Sequence, residues 1–176
     1  MTRTITGVAV AVLLAAAACT PAQSAHVSSS PIATHTFAGG CAGTVLTDAE
    51  PPLWAQAGFN PAGGAPWSVP WALGTGGDAV AFLYARQLVA GSSPRVDGTN
   101  NKVLWVAKGS PSNFMVEGIP PGATQAAITL NVGPSIVDVP SAGCWKFLVT
   151  QGTAQTSSII NLDVLPAGSK PPTPAG

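Results

Sequence analysis

The chain has few charged residues and little charge of either sign. Only 8% of its 176 residues are charged, and seven Lys or Arg balance seven Asp or Glu. A nearly neutral chain without a basic stripe lacks the electrostatic footprint of a nucleic-acid-binding protein. We therefore expect no nucleic-acid partner. No cluster of Lys and Arg indicates binding to anionic lipid either.

Residues that commonly carry out catalysis are also scarce. The two histidines, His26 and His35, precede the part of the chain that we expect to fold, so a Ser–His pair is excluded there. No Gly-x-Ser-x-Gly, Ser-x-x-Lys or Cys-x-x-Cys occurs, and no carboxylate stands in a recognisable motif. We predict that the protein is not an enzyme and has no catalytic residue, no metal site and no cofactor.

The one long apolar run is too short to span a membrane. It covers residues 5–18, follows Arg3 and ends in small residues before Cys19. A membrane helix needs about 20 apolar residues. A basic start, a short apolar stretch and small residues at its end are typical of a secretory signal. Residues 1–18 are therefore predicted to be a signal peptide.

The sequence Ala-Ala-Ala-Cys at the end of this run resembles a bacterial lipobox. The resemblance implies that the Cys19 thiol receives a diacylglyceryl group and becomes the first residue of the mature protein. Two acyl chains hold a protein stably to a membrane. The predicted location is the extracytoplasmic face of the cell membrane. The alternative is cleavage after Ser24, which would give a secreted protein.

The two ends of the mature chain have the composition of flexible segments. Residues 19–40 are rich in Ser, Thr, Pro, Ala and Gly, and residues 167–176 contain three prolines. Such segments bury too little apolar surface to offset their loss of conformational entropy. We predict a flexible tether over 19–40, one folded domain over 41–166 and a disordered tail over 167–176.

The cysteines indicate a disulfide bond. If Cys19 carries lipid, Cys41 and Cys144 remain as an even pair in an oxidising compartment. A bond between them would close a loop of roughly 100 residues, which stabilises a domain by about 4–5 kcal/mol in the chain-entropy model. The alternative is two buried free thiols.

Short β-like runs separated by turn sequences dominate the domain. Runs with alternating apolar and polar residues indicate half-buried strands, and no stretch shows sustained helical periodicity. The pattern predicts an all-β protein, an antiparallel immunoglobulin-like β-sandwich with one long irregular loop segment. The spacing of cysteine and tryptophan in antibody domains is absent, so only the architecture is predicted. The seven runs cover residues 44–46, 79–85, 102–107, 114–118, 127–132, 144–149 and 158–164.

The tryptophans divide into two groups. Trp105 and Trp145 lie in strand patterns and are predicted to be in the core. Trp54, Trp67 and Trp71 lie in the irregular segment over residues 49–78. Exposed indoles there would form a site for a small ligand or a glycan. Alternatively, the three side chains cover the open face of the sandwich.

Four short pieces of the chain resemble a family of actinobacterial envelope lipoproteins of unknown function. They are Trp-Ala-Gln-Ala-Gly-Phe at 54–59, Asn-Lys-Val-Leu-Trp-Val at 101–106, Gly-Pro-Ser-Ile-Val-Asp-Val-Pro at 133–140 and Gly-Cys-Trp-Lys at 143–146. The resemblance implies an envelope location and supplies no activity. Our hypothesis is a lipid-anchored envelope protein with a non-catalytic structural or protein-interaction role, whose partners are the membrane, through Cys19, and another envelope protein. The alternative is binding of a small ligand or cell-wall glycan through residues 49–78.

Overall fold

The computed structural model describes residues 35–56, 67, 69–109, 114–131, 133–151 and 156–171. All of these residues belong to one compact unit. The predicted signal peptide, Cys19 and the tether up to residue 34 lie outside the described residues, as do residues 172–176 of the predicted tail.

The described part of the chain contains eleven β-strands and one short 3-10 helix, Leu53–Ala55. The strands are β1 (Thr36–Phe37), β2 (Leu46–Thr47), β3 (Trp71–Leu73), β4 (Ala79–Leu83), β5 (Leu88–Val89), β6 (Lys102–Ala107), β7 (Phe114–Ile119), β8 (Ile128–Asn131), β9 (Gly133–Ile136), β10 (Gly143–Gln151) and β11 (Thr156–Leu165).

The strands form two sheets. Sheet A has the order β1-β2-β3-β4-β6-β9, and sheet B has the order β5-β11-β10-β7-β8. Strand pairs within both sheets are antiparallel except for β5 and β11, which run parallel. The prediction of an all-β, mainly antiparallel protein is confirmed.

Inner faces of the two sheets meet in one main core. Three large aromatic side chains fill it: the ring centroid of Phe147 lies 5.3 Å from that of Trp105 and 6.4 Å from that of Trp145. Sheet A offers small residues beneath these rings, including Ala79 and Ala81 of β4, which are almost completely buried. Large rings against alanine fill the space between the sheets without strain. The predicted core positions of Trp105 and Trp145 are confirmed.

Two predictions need correction, one about where the folded part begins and one about the irregular segment. β1 and the pairing of Gly40 with Leu162 lie inside the region 19–40 that we predicted to be tether, so the folded part begins before residue 41. β3 lies inside the segment 49–78 that was predicted to be irregular. Both strands have only two or three residues, and neighbouring strands hold them in place. Strands this short have no periodicity that a sequence pattern can detect.

Candidate functional site

The tryptophan segment forms a third layer on the outer face of sheet A. β4 is buried on both faces, because Val80 and Phe82 point away from the main core and are still fully buried. They belong to a second core with Ala55, Trp67 and Trp71. We call the described residues 49–56, 67 and 69–71 the cover segment. This segment keeps the outer face of β4 from water.

The three tryptophans are part of that cover. Trp67 is 5% exposed and stacks on Phe82 with 6.2 Å between ring centroids, and Trp71 is 7% exposed. The indole Nε1 of Trp71 donates a hydrogen bond to the carbonyl oxygen of Ala49 at 2.7 Å. Trp54 is half-buried against the same core. Trp67 and Trp71 therefore do not form an exposed stacking site; the other interpretation, in which they cover the open face of the sandwich, describes both of them.

The carboxylates are spread over the domain and take part in local hydrogen bonds. Most of them hold a loop or a turn to a neighbouring strand, a structural use of such groups. Among the described residues, no group of three or more His, Cys, Asp or Glu side chains could hold a metal ion. The hydrogen-bonded pairs are Asp48 with His35, Glu50 with Gln56, Asp78 with Ser158, Asp97 with Thr99, Asp138 with Ser93, and Asp163 with Gln87.

The pair of His35 and Asp48 fastens the start of the domain. The backbone N–H of His35 donates to one oxygen of Asp48 at 2.7 Å, and the imidazole Nδ1 lies 2.9 Å from the other oxygen. Desolvation raises the pKa of Asp48, but the hydrogen bonds and the charge interaction with His35 outweigh it and lower the pKa overall. The imidazole is mostly exposed, and the pair joins the two ends of the β1–β2 hairpin.

A densely hydrogen-bonded loop lies between β5 and β6, over residues 91–100. The guanidinium of Arg95, 5% exposed, donates to the carbonyl oxygen of Gln87 at 2.8 Å and pairs with Asp97 at 3.0 Å. Asp97 accepts bonds from the hydroxyl and the backbone N–H of Thr99, which lower its pKa to about 2. The turn at residues 97–99 is thus stabilised by its own side chains. Its Asp accepts hydrogen bonds from Thr99 and Arg95.

The buried side chain of Asn101 holds the end of that loop to β5. The sequence analysis did not identify this residue as part of the core. Its side chain is fully buried and exchanges two hydrogen bonds with the backbone of Val89, at 2.7 and 3.1 Å. Asp138 accepts from the backbone N–H and the hydroxyl of Ser93 on the other side. A buried amide with all its bonds inside the protein is a structural element of the fold. The signal in the sequence was a polar residue, Asn101, directly before the mainly apolar strand β6.

Cys41 and Cys144 form the predicted disulfide, with 5.9 Å between the Cα atoms. Its position was not predicted. In β10, Trp145 and Phe147 point into the main core, so Cys144 lies on the outer face of sheet B. Cys41 belongs to the connection between β1 and β2, whose residues 39–44 we call the strap. The disulfide therefore joins the strap to sheet B from outside the main core.

The strap runs along the edge of β11. Backbone N–H groups of Cys41 and Asp163 donate to the carbonyl oxygens of Asn161 and Gly39, at 3.2 and 2.8 Å. The backbone N–H of Asn161 donates to the hydroxyl of Thr44 at 2.9 Å. β5 pairs with the same strand further on. The edge of β11 is thus covered by other segments, as natural sheets require to avoid unwanted pairing.

The strap lies against the outer face of sheet B at Cys144 and Asn161, and the rest of this face carries a group of half-buried and exposed side chains. The centre of this face carries Leu148, which stands opposite Ile159 and Glu117 in the strand register. Polar and apolar side chains surround these residues, together with the charged Lys146. The other outward residues are Asn161, Lys146, Ile119, Thr150, Met115, Ser157, Thr129 and Asn131.

Comparison with protein-family models, curated proteins and solved structures finds no match for this chain. In the part of the chain that the structure describes, no helix has the length and apolar character needed to cross a membrane. Function must therefore be argued from the residues and their geometry alone.

Proposed function

We propose that this is an exported, lipid-anchored domain of the cell envelope that works through contact with another protein and not through catalysis. The observation that carries the proposal is the disulfide between Cys41 and Cys144, both of which are only half-buried. Disulfides persist in oxidising compartments and are rare in the cytosol. The apolar leader and Cys19 supply the means of export and of attachment.

The strand order supports an immunoglobulin-like sandwich as the architecture. β11, β10, β7 and β8 follow one another as the G, F, C and C′ strands of such domains do, and β4, β6 and β9 take the order of A, B and E. β5 would be the part of the first strand that switches sheets to pair with β11. The disulfide differs from that of antibody domains, because it joins the outer face of one sheet to the strap and does not bridge the two sheets across the core.

The outer face of sheet B is the contact surface in this proposal. Sheet A has the cover segment on its outer face, whereas the strap contacts the outer face of sheet B at its Cys144 end. Leu148 and Ile159 at the centre, with Glu117, Lys146 and polar side chains around them, have the mixed apolar and polar composition of a protein contact surface. The alternative of glycan binding by the three tryptophans has less support, because Trp67 and Trp71 are buried and Trp71 uses its N–H internally.

Cross-linking in intact envelopes tests the contact. Cells expressing the tagged protein are treated with formaldehyde, and cross-linked partners are quantified by mass spectrometry for the natural chain and for Leu148→Arg. The added charge at the centre of the face should reduce recovery of the main partner at least ten-fold. Val96→Arg, at a residue 62% exposed in the loop 91–100, adds the same charge elsewhere and should change nothing. Equal recovery from both variants, or no partner with the natural chain, would refute the proposal.

A further inference from the structure

The N-terminal part of the described chain is joined to sheet A by very few backbone pairs. β1 pairs with β2 over two residues, and β2 pairs with β3 at a single register position, Thr47 opposite Trp71. β3 then pairs with β4 over three residues. A two-stranded ribbon is marginally stable in water, and strands of this length are weaker still. Other contacts must keep these strands in place.

Loss of these strands would expose the second core. The cover segment lies between β2 and β3 in the chain, so it leaves sheet A when they leave. Val80 and Phe82 of β4 would then face water, although both are fully buried in the folded protein. Exposing large apolar side chains to water is unfavourable. An opening at the N-terminal end that reached the cover segment would therefore destabilise the domain.

The disulfide lies between the chain's first pairings and the cover segment. Cys41 follows β1 and precedes β2, and its partner Cys144 belongs to β10, which is paired on both sides, with β11 and with β7. Unpairing that begins at His35 meets a covalent bond to sheet B within a few residues. The hydrogen bonds of the strap to β11 support the same attachment.

We propose that the disulfide is a stop that prevents opening at the N-terminal end from spreading into the cover segment. Once β1 has separated from β2, tension from an anchored N-terminus passes along the strap to Cys41 and through the disulfide to β10. It does not reach β2 and β3. The stop acts on any opening that starts at this end, so it is independent of the lipid, although the tension itself rests on the anchor proposed above.

This role differs from the general effect of a disulfide. A bond that only restricts the unfolded chain stabilises the domain against global unfolding, and its loss would speed exchange only where exchange proceeds through global unfolding. A stop protects one region. Its loss would let the N-terminal region open separately, while the pairs of β10 with β7 and β11 stay closed.

Hydrogen exchange followed by mass spectrometry distinguishes the two roles. The measurement compares the oxidised protein with Cys41→Ser/Cys144→Ser, and reads the exchange rate of peptides from β2 and β3 relative to peptides from β10. We expect this ratio to rise at least ten-fold in the variant. Val116→Ala removes methyl groups from the main core and leaves the disulfide in place, so it should lower stability without raising the ratio. An unchanged ratio in the double-serine variant would overturn the proposal.

A second measurement covers the case in which the double-serine variant does not fold. The natural protein is held by its two ends at constant low force in magnetic tweezers, and a dithiol reductant is added. Release of residues 35–73 should appear as a first step with a contour length of about 130 Å, fitted from force and extension, since fully extended chain spans roughly 3.3–3.6 Å per residue. The remaining domain should open in a later, separate step. Opening of the whole chain in one step after reduction would contradict the proposed stop.

Discussion

Asn101 joins three parts of the chain with a side chain that is completely buried. Its amide bonds to both backbone groups of Val89, and its own backbone oxygen accepts from the N–H of Val137 at 2.8 Å. Asn101→Ala would leave the N–H and C=O of Val89 without partners in a buried position. We expect the free energy of unfolding to fall by about 2–4 kcal/mol in urea titrations. The exposed neighbour variant Asn100→Ala should change it by less than about 0.5 kcal/mol. Equal losses from the two variants would contradict this assignment.

The lowered pKa of Asp97 predicts how the stability of the domain depends on pH. The hydroxyl and N–H of Thr99, followed by Arg95, lower its pKa from 3.8 to about 2. Because the folded pKa lies below the unfolded one, the carboxylate's contribution to stability is complete above the ordinary pKa and is lost as the pH falls through about 2. Thr99→Val removes the hydroxyl, so the pKa of Asp97 should rise toward 3.8 in an NMR titration of its carboxyl carbon. An unchanged midpoint would show that Thr99 is not the main cause.

Among the strands, β4 alternates small and large residues because its two faces pack against different parts of the protein. Ala81 faces the aromatic rings of the main core, whereas Phe82 faces the cover segment. Ala81→Leu would add volume where the rings leave none, and we expect the free energy of unfolding to fall by about 1–3 kcal/mol. The exposed substitution Ala123→Leu is the control and should be nearly neutral in the same denaturation experiment. Tolerance of Ala81→Leu would mean that the core is loosely packed.

Strand patterns identified the long elements and missed the short ones. β6 was predicted with its observed bounds, and β10 and β11 were found through their alternation of apolar and polar residues. β1, β3 and β5 escaped detection because two or three residues have no measurable period, and pairing with distant strands places them. The burial of the tryptophans depends on a third layer. No local pattern in residues 49–78 predicts such a layer.

On the scale of the whole molecule, the disulfide closes most of the domain into one loop. The two cysteines are 103 residues apart in the chain. The chain-entropy model values a loop of that length at about 4–5 kcal/mol. Cys41→Ser/Cys144→Ser should therefore lower the free energy of unfolding by that amount in chemical denaturation. A loss below about 1 kcal/mol would mean that the bond contributes little to the folded domain.

Export into an oxidising compartment is the claim on which the account depends. Intact mass spectrometry of the protein, purified from its native envelope without reductant, measures it directly. We expect a chain that begins at Cys19, carries a diacylglyceryl group and is two hydrogens lighter than the dithiol form. A chain that retains residues 1–18, with thiols at Cys41 and Cys144 that react with an alkylating reagent, would contradict it.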